Sequence, residues 1–307
     1  MTPSDRSLGP AWGYASFYLF IRCGGRRAAY ALLQAVCAFY VLFRSQVRQG
    51  CLPYLRQRFP HDVGLVRLLQ IYRMVLAFGT VLVDRAIAGL LGPEQLRVSL
   101  AGRAQLLALR DQRRGMVLMM SHVGCWQVAM SALDFLEQPV AMLMQPDTRS
   151  RERHYHDYRG GERPWHLIDP AGYLGGALEM MAVLKQGGIL SVMGDRLPPH
   201  ERNRVRVTFL GRPVDLPYSA FQLASATGAP VVVMFSRKSS ADSYEMALAE
   251  TIEVPAGLGR RPEAYRPYVQ RYADLLATYC HDNPYQFFNF FDLWQSDAGQ
   301  DAVVQQK

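Results

Sequence analysis

The sequence predicts an α/β protein with a single main domain, in which helices flank a central mixed, mostly parallel sheet of about seven strands. Short β-rich runs alternate with helical patterns from about residue 104 onward, as they do in α/β sheet domains. The chain has 307 residues, of which 50% are hydrophobic, so it can bury a substantial core. Aromatic-rich apolar runs before residue 44 predict an additional N-terminal hydrophobic helical segment.

The N-terminal segment contains two apolar runs, 11–21 and 28–43, which are rich in aromatic residues. Five arginines separate or follow them: Arg22, Arg26, Arg27, Arg44 and Arg48. Each run is shorter than the roughly 18 to 20 residues of a typical transmembrane helix. Aromatic and cationic side chains together favour a segment that lies at a membrane interface. We therefore expect residues 1–60 to contact a membrane, with a pair of ordinary buried helices as the alternative.

The elements of the main domain follow from local patterns along the chain. Helices are predicted at 104–112, 124–137, 176–186, 217–228 and 262–282. Strands are predicted at 116–121, 139–144, 165–168, 189–194, 204–210, 229–235 and 244–254. Most of these strands are short apolar runs that fit a buried sheet, whereas 204–210 and 244–254 alternate polar and apolar residues, as half-exposed strands do. Gly187 and Gly188 suit the end of a helix because glycine favours the C-cap.

The main domain is expected to span 61–295, followed by a polar tail at 296–307. The net charge of +8 favours an anionic partner such as lipid headgroups or an acidic carrier protein. Nucleic acid is not expected, because the chain has no zinc finger, aromatic RNA-binding signature or long basic run. The five cysteines form no CxxC pair, which favours a reducing cytosolic environment over a disulfide framework or a zinc site.

The run MVLMMSHVGCWQVAM carries the main candidate for chemistry. His122 directly follows a predicted strand and precedes a predicted helix, at the sheet edge where open α/β sheets bind ligands. An imidazole there can take a proton from an alcohol that attacks an acyl carbonyl, provided that a second group fixes its tautomer. Gly124 allows close backbone approach, and amides at the helix start can stabilise an oxyanion. Taken alone, a histidine after a strand is more often a structural hydrogen-bonding residue.

Five-residue spacing constrains any pairing of His122 with Gln127. Residues five apart on one helix lie about 140° apart around its axis, so two helical side chains at this spacing do not face each other. The two side chains can therefore meet only if His122 lies in the loop or at the helix cap.

The run SHVGCWQ resembles the first block of the lysophospholipid acyltransferase superfamily, in which His is followed, after four intervening residues, by Asp or Glu. It is more specifically similar to the bacterial late acyltransferases of lipid A biosynthesis, whose form is commonly His, x, Gly, Asn, Trp, Glu. The similarity continues through GGALEMMAVLKQGGILSVMGDR, VTFLGRPVDLPYSAFQLASATGAPVVVMF and NPYQFFNFFDLW. Together with the aromatic N-terminal segment, these motifs cover nearly the whole chain in the expected order.

The resemblance implies direct transfer of a fatty acyl group from an acyl carrier protein or coenzyme A thioester to a lipid hydroxyl, without a metal or other cofactor. It implies a late acylation step of lipid A, and so of lipopolysaccharide, at the cytoplasmic face of the inner membrane. His122 would be the general base and Gln127 its orienting partner. The remaining implied contacts are to substrate: Gly124, then Asp195 and Arg196 for the acceptor, and Arg149 and Arg159 as weaker anion contacts.

Gln127 departs from the family pattern, because it stands where the carboxylate is expected. An amide can accept a hydrogen bond from an imidazole N–H but cannot stabilise an imidazolium by charge. In a serine-protease triad, replacement of the orienting Asp by Asn lowers turnover by about 10⁴. Gln127 therefore indicates a slower enzyme, a relay through another carboxylate such as Asp195, or a protein that binds lipid without turnover. The acceptor also stays open among a lipid A-type glycolipid, another glycolipid, an amino-acid lipid and a polyene pigment.

Other candidates have simpler interpretations. His154, His156 and Asp157 lie within a charged stretch at 149–163, which favours a solvated basic helix over a metal site. Cys125 is better explained as a buried small hydrophobe than as a nucleophile. Ser121 has no G-x-S-x-G context. The aromatic residues of 285–294 predict either an acyl groove or simple packing.

Overall fold

The computed structural model describes residues 11–144, 165–169, 172, 176–197 and 201–294. The helices are α1 Ala11–Phe43, α2 Ser45–Arg58, α3 Gly64–Leu91, α4 Arg103–Asp111, α5 Trp126–Ala129, α6 Ala177–Lys185, α7 Ser219–Thr227 and α8 Pro262–Asp282. Short 3₁₀ helices lie at Pro93–Gln95 and Met130–Leu136. The strands are β1 Arg97–Ala101, β2 Met116–Met120, β3 Val140–Leu143, β4 His166–Ile168, β5 Ile189–Met193, β6 Arg204–Phe209, β7 Arg212–Pro217, β8 Val231–Lys238 and β9 Ser243–Ile252.

The described part of the chain forms a seven-stranded sheet in the order β1-β9-β8-β2-β5-β3-β4. The strands from β8 to β4 are parallel to one another, whereas β9 is antiparallel to β8 and parallel to β1. The predicted fold class, with its central and mostly parallel sheet, is therefore confirmed.

Three strands differ from the sequence prediction, and two of them, β1 and β7, were not predicted at all. The predicted strand 204–210 forms β6 of a separate antiparallel hairpin with β7 and does not join the sheet. Its alternating burial gives it one apolar face, which a hairpin packed on one side satisfies. The seventh sheet strand is β1, an edge strand with no fully buried residue, and its sequence RVSLA carries no strong apolar signal.

The centre of the sheet is apolar on both faces. All five residues of β2 are buried, and β2 pairs in parallel with both β5 and β8. Helices cover both faces of such parallel strands, which is why they read as continuous apolar runs. Because these strands are parallel, Met120 of β2 lies level with Met193 of β5, and the loops that follow them emerge at the same sheet edge.

Helix α1 joins the two predicted N-terminal runs across a kink at Gly25, whose φ of 62° and ψ of −159° are not helical. It packs against α3, which was not predicted from the sequence. Among the described residues, Phe20–Phe43 and Gly64–Leu91 are long and apolar enough to cross a membrane by length and composition. Helix α3, however, buries three polar residues, Arg67, Gln70 and Asp84.

Some predicted features lie outside the described residues. They are Arg149, Arg159, His154, His156, Asp157 and the tail 296–307. The predicted helix at 124–137 is found as the short α5 and the following 3₁₀ helix.

Candidate active site

His122 and Asp195 meet at the carboxyl edge of the sheet. His122 comes two residues after the end of β2, and Asp195 comes two residues after the end of β5. Nδ1 of His122 lies 2.9 Å from Oδ1 and 3.1 Å from Oδ2 of Asp195. The backbone N–H of His122 also donates to Oδ2 of Asp195, at 3.2 Å. The carboxylate therefore holds both the ring and the backbone of His122.

The pairing defines which ring nitrogen of His122 can act as a base. Because an ionised carboxylate only accepts hydrogen bonds, Nδ1 carries the proton and Nε2 presents a lone pair. Nε2 has no hydrogen-bond partner among the described residues, and 30% of the His122 side chain is exposed. Asp195, in contrast, is buried, with 1% of its side chain exposed. The site thus presents a basic nitrogen to a ligand and keeps its partner carboxylate away from water.

The charge state of Asp195 follows from its surroundings. Burial by itself raises the pKa of the Asp195 carboxyl, but His122, through its charge and its hydrogen bonds, and the nearby Arg196 guanidinium hold that pKa below its usual value. Asp195 is therefore ionised at neutral pH. An ionised carboxylate at this position stabilises the imidazolium that forms when Nε2 accepts a proton.

Gly124 allows the loop after His122 to lie against β8. Its φ is +52°, and a Cβ at this position would lie 2.2 Å from the backbone oxygen of Ser236. A side chain would therefore be both strained and in collision with backbone. The backbone at Gly124 thus approaches another backbone segment closely, as expected, and this approach packs the loop against Ser236.

The backbone amides of residues 122–124 are already occupied. The His122 amide donates to Asp195, the Val123 amide to the Ser121 carbonyl at 2.7 Å, and the Gly124 amide to the Gln286 carbonyl at 3.0 Å. These amides thus stabilise the loop and are not available to an oxyanion.

A C-terminal segment, Gln286–Phe288, fastens the His122 loop. The Phe288 amide donates to the His122 carbonyl at 2.8 Å, and Val123 and Phe287 form an antiparallel bridge. The Gln286 side chain accepts from the Lys238 amide at 2.7 Å and donates to the Lys238 carbonyl at 3.1 Å, so it pairs with the end of β8. Phe287 and Phe288 are buried, so packing accounts for this part of the aromatic cluster.

Arg196 lies beside the pair and bridges it to the C-terminal segment. Its guanidinium donates to the Phe288 carbonyl at 2.6 Å, and its Nε lies 3.9 Å from Oδ2 of Asp195. The guanidinium carbon also lies 5.3 Å from the ring centroid of Phe291. About a third of the side chain, 34%, is exposed.

Gln127 is the partner that was expected for His122 from the family resemblance. It is a partly buried residue in the first turn of α5, and among the described residues it makes no hydrogen bond to the His122 ring. His122 lies in the loop, as the spacing required, but its ring turns toward the neighbouring strand end. There the Asp195 carboxylate makes the hydrogen bond to Nδ1 that was expected of residue 127.

Tyr272 of α8 supports both strand ends and was not singled out from the sequence. Its hydroxyl lies 2.6 Å from the Ser121 hydroxyl and donates to the Met120 carbonyl at 3.3 Å. Its ring also fills the space beside Gly194, where a Cβ would lie 2.8 Å from Tyr272 Cζ. A tyrosine on the buried face of a helix gives no sequence signal that separates this role from ordinary packing.

The remaining candidates near the loop are buried. Burial raises the pKa of the Cys125 thiol to about 11, so the thiol is protonated at neutral pH, as expected of a packed hydrophobe. Ser121 is inaccessible and hydrogen-bonded to Tyr272. Among the described residues, no group of three His, Cys, Asp or Glu side chains could hold a metal ion.

Comparison with known proteins identifies the family to which this chain belongs. A family model described as bacterial lipid A biosynthesis acyltransferase matches residues 5–296. The match includes both strand ends and the C-terminal segment that fastens the His122 loop. A search of the curated proteins finds none that matches.

Proposed function

Because this chain belongs to the bacterial lipid A biosynthesis acyltransferase family, we propose that it transfers a fatty acyl group from a thioester donor to a hydroxyl of a lipid A-type glycolipid. The observation that carries the proposal is the His122–Asp195 pair, in which Nδ1 is held at 2.9 Å and Nε2 is left unpartnered among the described residues. This is the arrangement that general-base catalysis requires of an imidazole.

The proposed reaction uses Nε2 of His122 as a proton carrier. The acceptor hydroxyl donates a hydrogen bond to Nε2, and its oxygen attacks the thioester carbonyl carbon while Nε2 takes the proton. Asp195 stabilises the resulting imidazolium, which lies beside it. When the tetrahedral intermediate collapses, the C–S bond breaks and the leaving sulfur takes the proton from Nε2. The products are an ester and a free thiol, and His122 returns to its neutral form.

We assign the orienting role to Asp195 rather than to Gln127. The support is geometric, since Asp195 is hydrogen-bonded to Nδ1 and Gln127, among the described residues, is not, and electrostatic, since only a carboxylate stabilises the imidazolium by charge. Stabilisation of the imidazolium then does not depend on residue 127, although Gln127 departs from the family pattern. Arg196, whose side chain is about a third exposed and lies beside Asp195, is proposed to bind an anionic group of the acceptor, such as a phosphate.

The donor and the location extend the same proposal. We propose acyl carrier protein as the donor, with coenzyme A as the alternative, and the cytoplasmic face of the inner membrane as the site of reaction. The support is the family membership, the net charge of +8 and the two long apolar helices. Arg149 and Arg159 are proposed as further anion contacts on the strength of the resemblance alone.

A catalytically silent lipid-binding protein is the second candidate, and Gln127 is the observation that favours it. The test is incubation of the purified full chain with membrane lipid extract and a labelled acyl thioester, of either acyl carrier protein or coenzyme A. Mass spectrometry of the lipids then identifies the acceptor and the chain length. An acylated glycolipid supports the proposed function. Binding of the extract without any acyl transfer from either donor supports the silent protein.

A further inference from the structure

Helix α8 carries three buried tyrosines at intervals of seven residues: Tyr265, Tyr272 and Tyr279. Residues seven apart on an α-helix differ by only about 20° around its axis and lie about 10.5 Å apart along it. The three side chains therefore leave the same face of α8. Because this face is buried, each hydroxyl needs a hydrogen-bond partner inside the protein.

Tyr272 holds the end of β2, from which the proposed base extends. Its hydroxyl donates to the Met120 carbonyl at 3.3 Å. A hydroxyl has one proton, so in the 2.6 Å bond between the two hydroxyls Ser121 is the donor and Tyr272 is the acceptor. Ser121 directly precedes His122, so this bond fixes the chain one residue before the base.

The Tyr272 side chain also lies against the end of β5, from which the carboxylate extends. A Cβ on Gly194 would lie 2.8 Å from Cζ and 3.0 Å from Oη of Tyr272, so the Gly194 backbone and the tyrosine are in close contact. Gly194 directly precedes Asp195. Tyr272 thus contacts both the residue before His122 and the residue before Asp195, and its size sets the separation of the two strand ends.

Tyr279 holds the other side of the loop after β2 through strand β8. Its hydroxyl donates to the Ser236 carbonyl at 2.9 Å. The Ser236 hydroxyl, in turn, donates to the Val123 carbonyl at 2.9 Å, and Ser236 is fully buried. The loop is therefore fixed at Ser121 through Tyr272 and at Val123 through Ser236 and Tyr279.

Both tyrosine hydroxyls keep their protons at neutral pH. Burial, and to a smaller extent the charge of Asp195, raise the pKa of Tyr272 well above its usual value. Burial likewise raises the pKa of Tyr279. Hydroxyls that stay protonated donate to their carbonyls throughout the reaction, so their contribution is to hold the backbone and not to carry a proton.

From these contacts we propose that Tyr272 and Tyr279, which we call the tyrosine clamp, are positioning residues for the proposed base. In the part of the chain that the structure describes, neither hydroxyl is bonded to the His122 ring or to Asp195, so the clamp acts through the backbone. It holds the loop after β2 from two sides and thereby places the ring against the carboxylate. Displacement of a catalytic group by about 1 Å can cost about 10² in rate. The inference rests on the proposed function, in which His122 is the base.

The first test compares three Tyr→Phe variants of the full chain, with a labelled acyl thioester and membrane lipid extract. Tyr272→Phe and Tyr279→Phe each remove one hydroxyl of the clamp and keep the ring. We expect each to lower kcat by about tenfold and to change the KM for the thioester by less than about twofold, because the substrate contacts stay in place.

Tyr265→Phe is the matched control. The Tyr265 hydroxyl is also buried on α8 and donates to a backbone carbonyl, that of Gly259, at 2.7 Å, but it does not contact the loop after β2. Tyr265→Phe should therefore lower the midpoint of urea unfolding about as much as the other two variants and leave kcat unchanged. Ser121→Ala removes the other half of the Tyr272 bond, and its kcat should fall as it does in Tyr272→Phe.

Proton nuclear magnetic resonance gives a second measurement that does not depend on acyl transfer. An imidazole Nδ1–H that is hydrogen-bonded to a carboxylate gives a far-downfield signal, which His122→Ala assigns by its disappearance. We expect this signal in the unaltered chain and in Tyr265→Phe. In Tyr272→Phe and Tyr279→Phe it should broaden or disappear, because the proton of a loosened pair exchanges faster with water.

The inference is overturned if the downfield signal is the same in all three Tyr→Phe variants. It is also overturned if Tyr265→Phe loses as much kcat as Tyr272→Phe and Tyr279→Phe, because the loss would then reflect stability alone. If the unaltered chain transfers no acyl group, the proposed function fails and the magnetic resonance result by itself decides whether the clamp positions His122.

Discussion

Nδ1 of His122 lies 2.9 Å from Oδ1 of Asp195, a residue 73 positions further along the chain. The contact joins the loops that follow two adjacent parallel strands, β2 and β5. It provides an ionised, buried carboxylate for the imidazole although residue 127 is an amide. The proposed chemistry of this chain therefore depends on a contact between strands rather than on a contact within the HVGCWQ motif.

Substitution of the proposed base should abolish most acyl transfer. We expect His122→Ala to lower kcat/KM by about 10² to 10⁴, because the attacking hydroxyl would lose its proton acceptor. The ring is 30% exposed, so the fold should persist, and the far-UV circular dichroism spectrum serves as the check. Turnover of a labelled thioester at the unaltered rate would reject His122 as the base.

Asp195→Asn tests the orienting carboxylate with almost no change in volume. We expect a loss in kcat of about 10³ to 10⁴, with a much smaller change in KM, because the amide cannot stabilise an imidazolium by charge. Steady-state kinetics with varied acceptor concentration separates the two parameters. A raised KM for the acceptor with a normal kcat would instead make Asp195 an acceptor-binding residue.

Gln127→Glu restores the carboxylate of the family pattern. Because Asp195 already occupies Nδ1 of His122, we expect activity to be retained or raised, within about tenfold of the unaltered chain. Gln127→Ala should behave similarly in the same transfer assay. A complete loss in either variant would contradict the assignment and show that the amide is specifically required.

The Asp195 pairing predicts a pH dependence of stability. The folded-state pKa of Asp195 lies below its ordinary value, so the unfolded chain takes up the proton first as the pH falls. The contribution of Asp195 to the free energy of unfolding is thus complete above the unfolded pKa of about 3.9 and is lost as the pH falls through the folded pKa. Urea unfolding at pH 7 and pH 3 should show a smaller loss for Asp195→Asn than for the unaltered chain. An equal loss would mean that the pair does not form.

Gly124→Ala should destabilise the loop through both strain and collision. We expect a decrease of about 2 to 4 kcal/mol in the free energy of unfolding, since the φ is positive and the new Cβ would meet the Ser236 carbonyl. Gly228→Ala is the matched control, because Gly228 also has a positive φ, of 77°, but no atom lies within 4 Å of the added Cβ. Its cost should be about 1 kcal/mol, so similar losses in both variants would remove the argument for close approach.

Several elements could be predicted from sequence because their patterns are local. The apolar runs at 116–121 and 189–194 are found as β2 and β5, and the periodic run 262–282 is found as α8. Strands β1 and β7 and helix α3 were not predicted. The short edge strand has too few apolar residues to predict a strand. The long apolar stretch of α3 shows neither the polar face of a typical surface helix nor the alternation of a half-buried strand.

The sequence by itself determined the fold class, the position of His122 at the end of a buried strand, and the motifs that resemble the acyltransferase family. Local periodicity and turn chemistry are sufficient for these, because each depends on neighbours a few residues away. Only the tertiary structure decided which group holds His122. Strand order and register bring Asp195 to Nδ1, and these depend on packing between distant segments, which no local pattern encodes.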